Sequence, residues 1–158
     1  MANYQTLISV INRIGTALTN TGCSAYFYGI PSEINEEHNR VYPVGSVYVN
    51  NTSVVVPTNL ERGNVEVATN FEIYIWYSTS DGGQDTEPNT MLQIKHSQAQ
   101  GMATAFLKNF YQDIENDNFD MIITPNSSTN LVVFQESGAD RIAGCRFSVS
   151  VSYYEDCA

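Results

Sequence analysis

The stretch that decides the fold is "VEVATNFEIYIWYS", residues 65–78. Val65, Val67, Phe71, Ile73, Ile75 and Tyr77 fall on one side of a two-residue period. Glu66, Asn70, Glu72, Tyr74 and Trp76 fall on the other. Clean alternation of this kind predicts a long β-strand with one face against a core. The polar side turns aromatic at Tyr74 and Trp76. Aromatic residues on a second sheet face are either covered by another element, here the N-terminal helix, or offered to a partner chain.

The final segment, "AGCRFSVSVSYYEDCA" at residues 143–158, repeats the period. Cys145, Phe147, Val149, Val151 and Tyr153 form its inner side, so Cys145 reads as a small core residue. Tyr154 joins Tyr74 and Trp76 on the outer side. Cys157 lies beyond the strand. Shorter strand-like runs occur at Ser46–Val49 and Ser53–Val56, with "NNT" between them as a turn, and at "FDMIIT" and "NLVVF". "SAYFYGIP" reads as a short extended piece.

Two segments carry helical spacing. Tyr4, Leu7, Ile8, Ile11, Ile14 and Leu18 recur at steps of three and four, and Gly22 suits a left-handed helix end. Met91, Leu92, Lys95, Ala99, Met102, Ala103, Phe106, Leu107, Phe110 and Ile114 trace a second, longer stripe, with Thr86 or Asn89 as its cap. Gly101 inside that helix costs up to about 1 kcal/mol relative to alanine, and close packing on a sheet would explain it. Residues 31–45 and 78–89 are long polar connections. Connections of that length in a compact domain tend to be functional or disordered.

The element order, helix, strands, helix, strands, predicts an α+β fold. A mainly antiparallel, twisted sheet would carry the N-terminal helix and the long second helix, in a single domain over residues 1–158. A chain of 158 residues can bury a core without staples. Its 7 basic and 17 acidic residues give a net charge of -10, which repels phosphate backbones and anionic membranes. The first twenty residues lack the pattern of a signal peptide, and no apolar run reaches bilayer length. A reducing compartment is the expectation, with three free thiols.

The thiols, the histidines and the acidic loops are the groups that could carry chemistry. A Cys/His hydrolase would pair Cys23, Cys145 or Cys157 with His38 or His96, but neither histidine stands in a catalytic sequence context. No CxxC or HxxxH suggests zinc. "SDGGQDTEP", with Asp81, Asp85 and Glu87, could serve a monomeric module that binds a metal or other ligand, yet its spacing departs from the twelve-residue calcium loop. The expectation is therefore no enzyme, no cofactor and no metal. The long loops and outward aromatics suggest assembly instead, with Tyr74, Trp76, Asp81, Gln84, Asp85 and Tyr154 as interface candidates.

The layout resembles the tail-terminator and tail-completion proteins of tailed bacteriophages, small α+β ring-formers at the head-tail junction. The resemblance rests on the amphipathic N-terminal helix, "NFEIYIWYS" running through a polar loop into "MLQIKHSQAQGMATAFLKNFY", and the alternating C-terminal strand. It covers nearly the whole chain in element order, without a specific motif. It implies a virion protein of the tail or neck that assembles in the host cytoplasm as a homo-oligomeric ring, hexameric or dodecameric. It also implies contacts with portal, connector and tail proteins, and DNA passing through the lumen without specific binding. Segment 31–45 is longer than a minimal version of that fold needs.

Overall fold

The computed structural model describes residues 6–31, 41–55, 64–79, 88–116, 122–123, 129–137 and 141–156. Within them run α1 (Leu7–Thr21), β1 (Ala25–Tyr28), β2 (Val44–Val55), β3 (Asn64–Ser78), α2 (Pro88–Glu115), β4 (Ile122–Ile123), β5 (Val132–Ser137) and β6 (Arg141–Asp156). The class is α+β, as the alternating and helical periods predicted.

β3 and β6 are the axis of the sheet. They pair antiparallel along their full length, from Asn64 opposite Asp156 to Ser78 opposite Ile142. β2 lies antiparallel on the other side of β3, and β1 pairs parallel with the start of β2, Ala25 opposite Val44. The far edge of β6 is shared in tandem. β5 pairs with Arg141–Arg146, and β4 pairs with Val151 and Ser152. Between them Thr129 fills in, its hydroxyl accepting the Ser148 N–H at 3.0 Å.

Both helices sit on one face. α1 rests on β1 and β2 and touches α2, which lies over β6 and β3. The odd-numbered side chains of β3 and β6 point into this layer. Phe71, Ile73, Ile75, Cys145, Val149 and Val151 are fully buried there with Val10, Ile14 and Leu18 of α1 and Ala99, Ala103, Phe106 and Phe110 of α2. The Phe106 ring stacks on Phe110 at 5.3 Å and leans on Phe147 at 5.6 Å. Burying a side chain of this size contributes about 1.5–3 kcal/mol. One polar line crosses the same face. The Thr52 and Thr69 hydroxyls meet at 3.2 Å, and Thr69 meets the Tyr153 hydroxyl at 3.3 Å.

Local chemistry sets the helix ends. Thr6 caps α1. Its hydroxyl accepts the Ser9 N–H at 3.2 Å while Ser9 accepts the Thr6 N–H at 3.0 Å, a reciprocal box built with serine in the usual Glu position. Gly22 ends α1 at φ 133°, a conformation closed to most side chains, and its N–H reaches the Leu18 and Thr19 carbonyls. Along α2, Lys95 falls in the apolar stripe and sets its ammonium over the Tyr77 ring, 5.3 Å from the ring centre.

Four sequence expectations are corrected. "NNT" is not a turn: β2 continues through it, and Asn50 is one extra residue between Val49, opposite Phe71, and Asn51, opposite Asn70. A β-bulge absorbs an asparagine as readily as a turn does. Ile8, placed in the α1 stripe, is 70% exposed, and Val10 takes the buried position. Gly101 does not pack on the sheet. It is exposed, and a β-carbon there would meet nothing within 4 Å. Asn89 lies inside α2 and not at its cap. Tyr4, His38, Thr86, Cys157 and most of segments 31–45 and 78–89 lie outside the described residues.

Candidate interaction face

The even-numbered side chains of β3 and β6 form the second face, opposite the helices. Its two halves differ. Toward the end of β3 it is apolar: Val44, Tyr74, Trp76 and Ile142 are buried together, with Phe27, Ile30, Tyr42 and Phe134 packed around them. Tyr74 and Trp76 are only 9% and 1% exposed. This corrects the expectation that they stand outward, and it corrects the choice of cover. α1 lies on the other face, and Phe27, Ile30, Tyr42 and Phe134 do the covering. The Phe134 ring meets Tyr74 edge-on at 5.6 Å. A partner reaching this face does not reach Trp76.

The other half is polar. Asn70, Glu72, Arg146, Ser148 and Ser150 surround a shallow depression of about 440 Å³, closed at one side by Thr129, Asn130 and Val132. Arg146 reaches across from β6 to the Glu72 carboxylate at 3.4 Å, with the guanidinium side chain half exposed. A pair this open contributes about 0–1 kcal/mol and serves mainly to fix the orientation of the two side chains. Burial raises the Tyr74 hydroxyl to about 12, helped by the negative charge of Glu72 and opposed by Arg146. Tyr154 stays on this side at 38% exposure, where the sequence placed it. Asp81, Gln84 and Asp85 lie outside the described residues.

Hydrogen bonding also distinguishes the faces. Among the described residues the side-chain atoms Ser46 Oγ, Asn70 Oδ1 and Trp76 Nε1 are buried without a partner, and all three belong to the second face. A buried polar group left unpaired costs about 1–3 kcal/mol. Thr69, the buried hydroxyl on the helix side, has two partners instead. Neither the unpaired atoms nor the depression was visible in the sequence. Both depend on which neighbours the ladder brings beside Ser46 and Asn70.

The two described thiols and the described histidine are occupied structurally. Cys23 is buried against Met102, with sulfur atoms 3.6 Å apart, and burial pushes its thiol up to about 12. Cys145 is fully buried, and burial raises its thiol as well. Nucleophilic cysteines need the opposite shift, toward thiolate at neutral pH. His96 Nε2 lies 3.0 Å from the Phe134 carbonyl oxygen and ties α2 to β5. Among the described residues no group of three or more His, Cys, Asp or Glu is arranged to hold a metal ion, and no helix is long and apolar enough to cross a membrane.

No protein-family model matches this chain, and no curated protein matches it.

Proposed function

We propose that this chain is a structural virion protein that forms a ring at the head-tail junction, as a tail terminator or a neck ring. It would join the tail to the portal side and leave a passage for DNA. The observation that carries this reading is the division of the sheet. Two helices cover one face, while the polar half of the other ends in a shallow depression, with Asn70 Oδ1 buried and without a partner among the described residues and with Tyr154 exposed. A face of that kind suits contact with further protein more than chemistry on a small molecule. The buried thiols, with their raised pKa values, weigh against the Cys/His hydrolase.

The net charge of -10 supports the same role, because carboxylates facing a lumen repel phosphate and keep DNA moving. The test is the mass of the purified chain, alone and mixed with isolated tails or necks, together with negative-stain images. The expected result is a closed ring of identical copies with an acidic inner wall. A chain that stays monomeric in both settings would overturn the proposal, as would a ring with a basic channel.

A further inference from the structure

Among the described residues, the sheet leaves two of its edges unpaired, at opposite ends of its strands. β1 pairs only with Val44–Val47, and a bond from Gly29 N to the Val47 carbonyl closes that ladder. From Tyr48 to Val55 no described strand pairs with the outer side of β2. Thr52 and Ser53 are exposed there, and Val54 is 56% exposed. Across the sheet, β5 is the outer strand. Val132 and Val133, which point to opposite faces, are 41% and 48% exposed. An open row of backbone N–H and C=O groups is a template for another strand, and soluble proteins normally blunt it with lysine, proline or a charge. β2 carries no charged residue in all twelve positions, although the chain holds 24.

From these edges, and resting on the ring-forming reading above, we infer the subunit contact: the free edge of β2 pairs with β5 of a second copy. Strand directions support it. β2 runs antiparallel to β3, β3 to β6, and β6 to β5, so β5 of a copy set beside β2 with the same face forward runs antiparallel to β2. Val54 faces the helix side, being opposite Val67, and so does Val133, opposite Cys145. Joining the edges therefore brings two exposed valines onto one face, where each covers the other.

The levels of the edges add a geometric consequence. Asn51–Val55 lie level with Ser150–Tyr154 of β6, through Asn70–Glu66 of β3, whereas β5 lies level with Arg141–Arg146. Each added copy is thus displaced along the strands, on the order of 25 Å at ~3.3 Å per residue. A stagger of that sense tilts the strands against the ring axis, which is what closing a sheet on itself requires. A head-to-tail contact repeated by rotation gives a closed ring. Electrostatics agree: copies that each carry -10 approach with least repulsion along a strand with no charge. β5 is held ready for the contact by His96 at the Phe134 carbonyl and by Phe134 against Tyr74.

The test places Val54→Cys and Val133→Cys together in a Cys157→Ser background, where the remaining thiols, Cys23 and Cys145, are buried. Mild oxidation is expected to give a ladder of linked copies ending at the ring size, and Val54→Cys alone should give no dimer. Dimers from Val54→Cys alone would mean that β2 pairs with itself, which overturns the proposal. Ser53→Lys with Val54→Lys, both at exposed positions, should keep the melting temperature and raise the concentration for half-assembly at least tenfold. Rings that form normally in that variant, with no ladder in the cysteine pair, would refute the edge contact and leave the ring reading standing. A wild-type chain that is monomeric alone and with tails would remove both.

Discussion

Gly144 lies directly across the β3–β6 ladder from Trp76, and the two fit only because residue 144 has no side chain. A β-carbon there would clash with the Ile75 carbonyl oxygen and come within 2.7 Å of the Trp76 β-carbon. On its other side Gly144 is opposite Phe134 of β5. The row Trp76–Gly144–Phe134 thus sets two aromatic residues on either side of a gap, and the apolar half of the second face is built over it. Gly144→Ala is expected to destabilise by about 1–3 kcal/mol, the usual cost of overpacking. Urea unfolding followed by the emission of Trp76, the only tryptophan, would show it. An unchanged midpoint would mean that the gap is not needed.

Two helical glycines are expected to respond with opposite sign. Gly101 is exposed with open space around it, so Gly101→Ala should stabilise by up to about 1 kcal/mol through helix propensity alone. Gly15 is buried in α1, and a β-carbon there would run into the Tyr26 ring, so Gly15→Ala should destabilise. Matched urea curves decide the point, and shifts in the same direction would contradict the packing described for α1.

Stability should fall in alkali. Burial raises the Cys23 thiol from 9.0 to about 12 and the Tyr74 hydroxyl from 10.0 to about 12, and it raises Cys145, Tyr77 and Tyr153 too. In each case the native state holds its proton more tightly than the unfolded chain. The stabilisation is therefore complete below pH 9.0 and is lost as pH climbs toward 12. The urea midpoint should be flat near neutrality and decline from about pH 9, with a shallower onset in Cys23→Ala. A midpoint that holds or rises through that window would contradict the burial of these groups.

Thiol reactivity separates the structural reading from a catalytic one. In the Cys157→Ser background, Cys23 and Cys145 should resist alkylation in the native state by several orders of magnitude relative to unfolded chain, because each is buried and protonated. Rapid native labelling of either one would restore the hydrolase hypothesis.

The sheet's main axis was legible because β3 and β6 keep strict alternation over long runs and bury Phe71, Ile73, Ile75, Phe147, Val149 and Val151 on one side. The α2 stripe was legible for the same reason, Ala99 through Ile114 supplying the buried face. What the sequence concealed were relations between distant segments. Period alone makes Trp76 an outward residue. Only the ladder shows Phe134 beside Tyr74, with Phe27, Ile30 and Tyr42 closing over the cluster. Asn50 misleads for a different reason, since turns and bulges favour the same residues. The depression around Asn70 depends on Thr129 standing opposite Ser148, a pairing that no local pattern announces.

The extra residue at Asn50 also reverses parity along β2. Before it, odd-numbered Val47 and Val49 look toward the helices; after it, even-numbered Thr52 and Val54 do. Excising that single asparagine would straighten the arm and leave its faces where they are. With it gone, Asn51 would follow Val49 just as Asn70 precedes Phe71 on β3, so the ladder would close without a bulge and Thr52 would keep its place beside Thr69. That codon thus carries a spare residue, whose loss would remove a local bend and twist while the outer half of the strand keeps its facing.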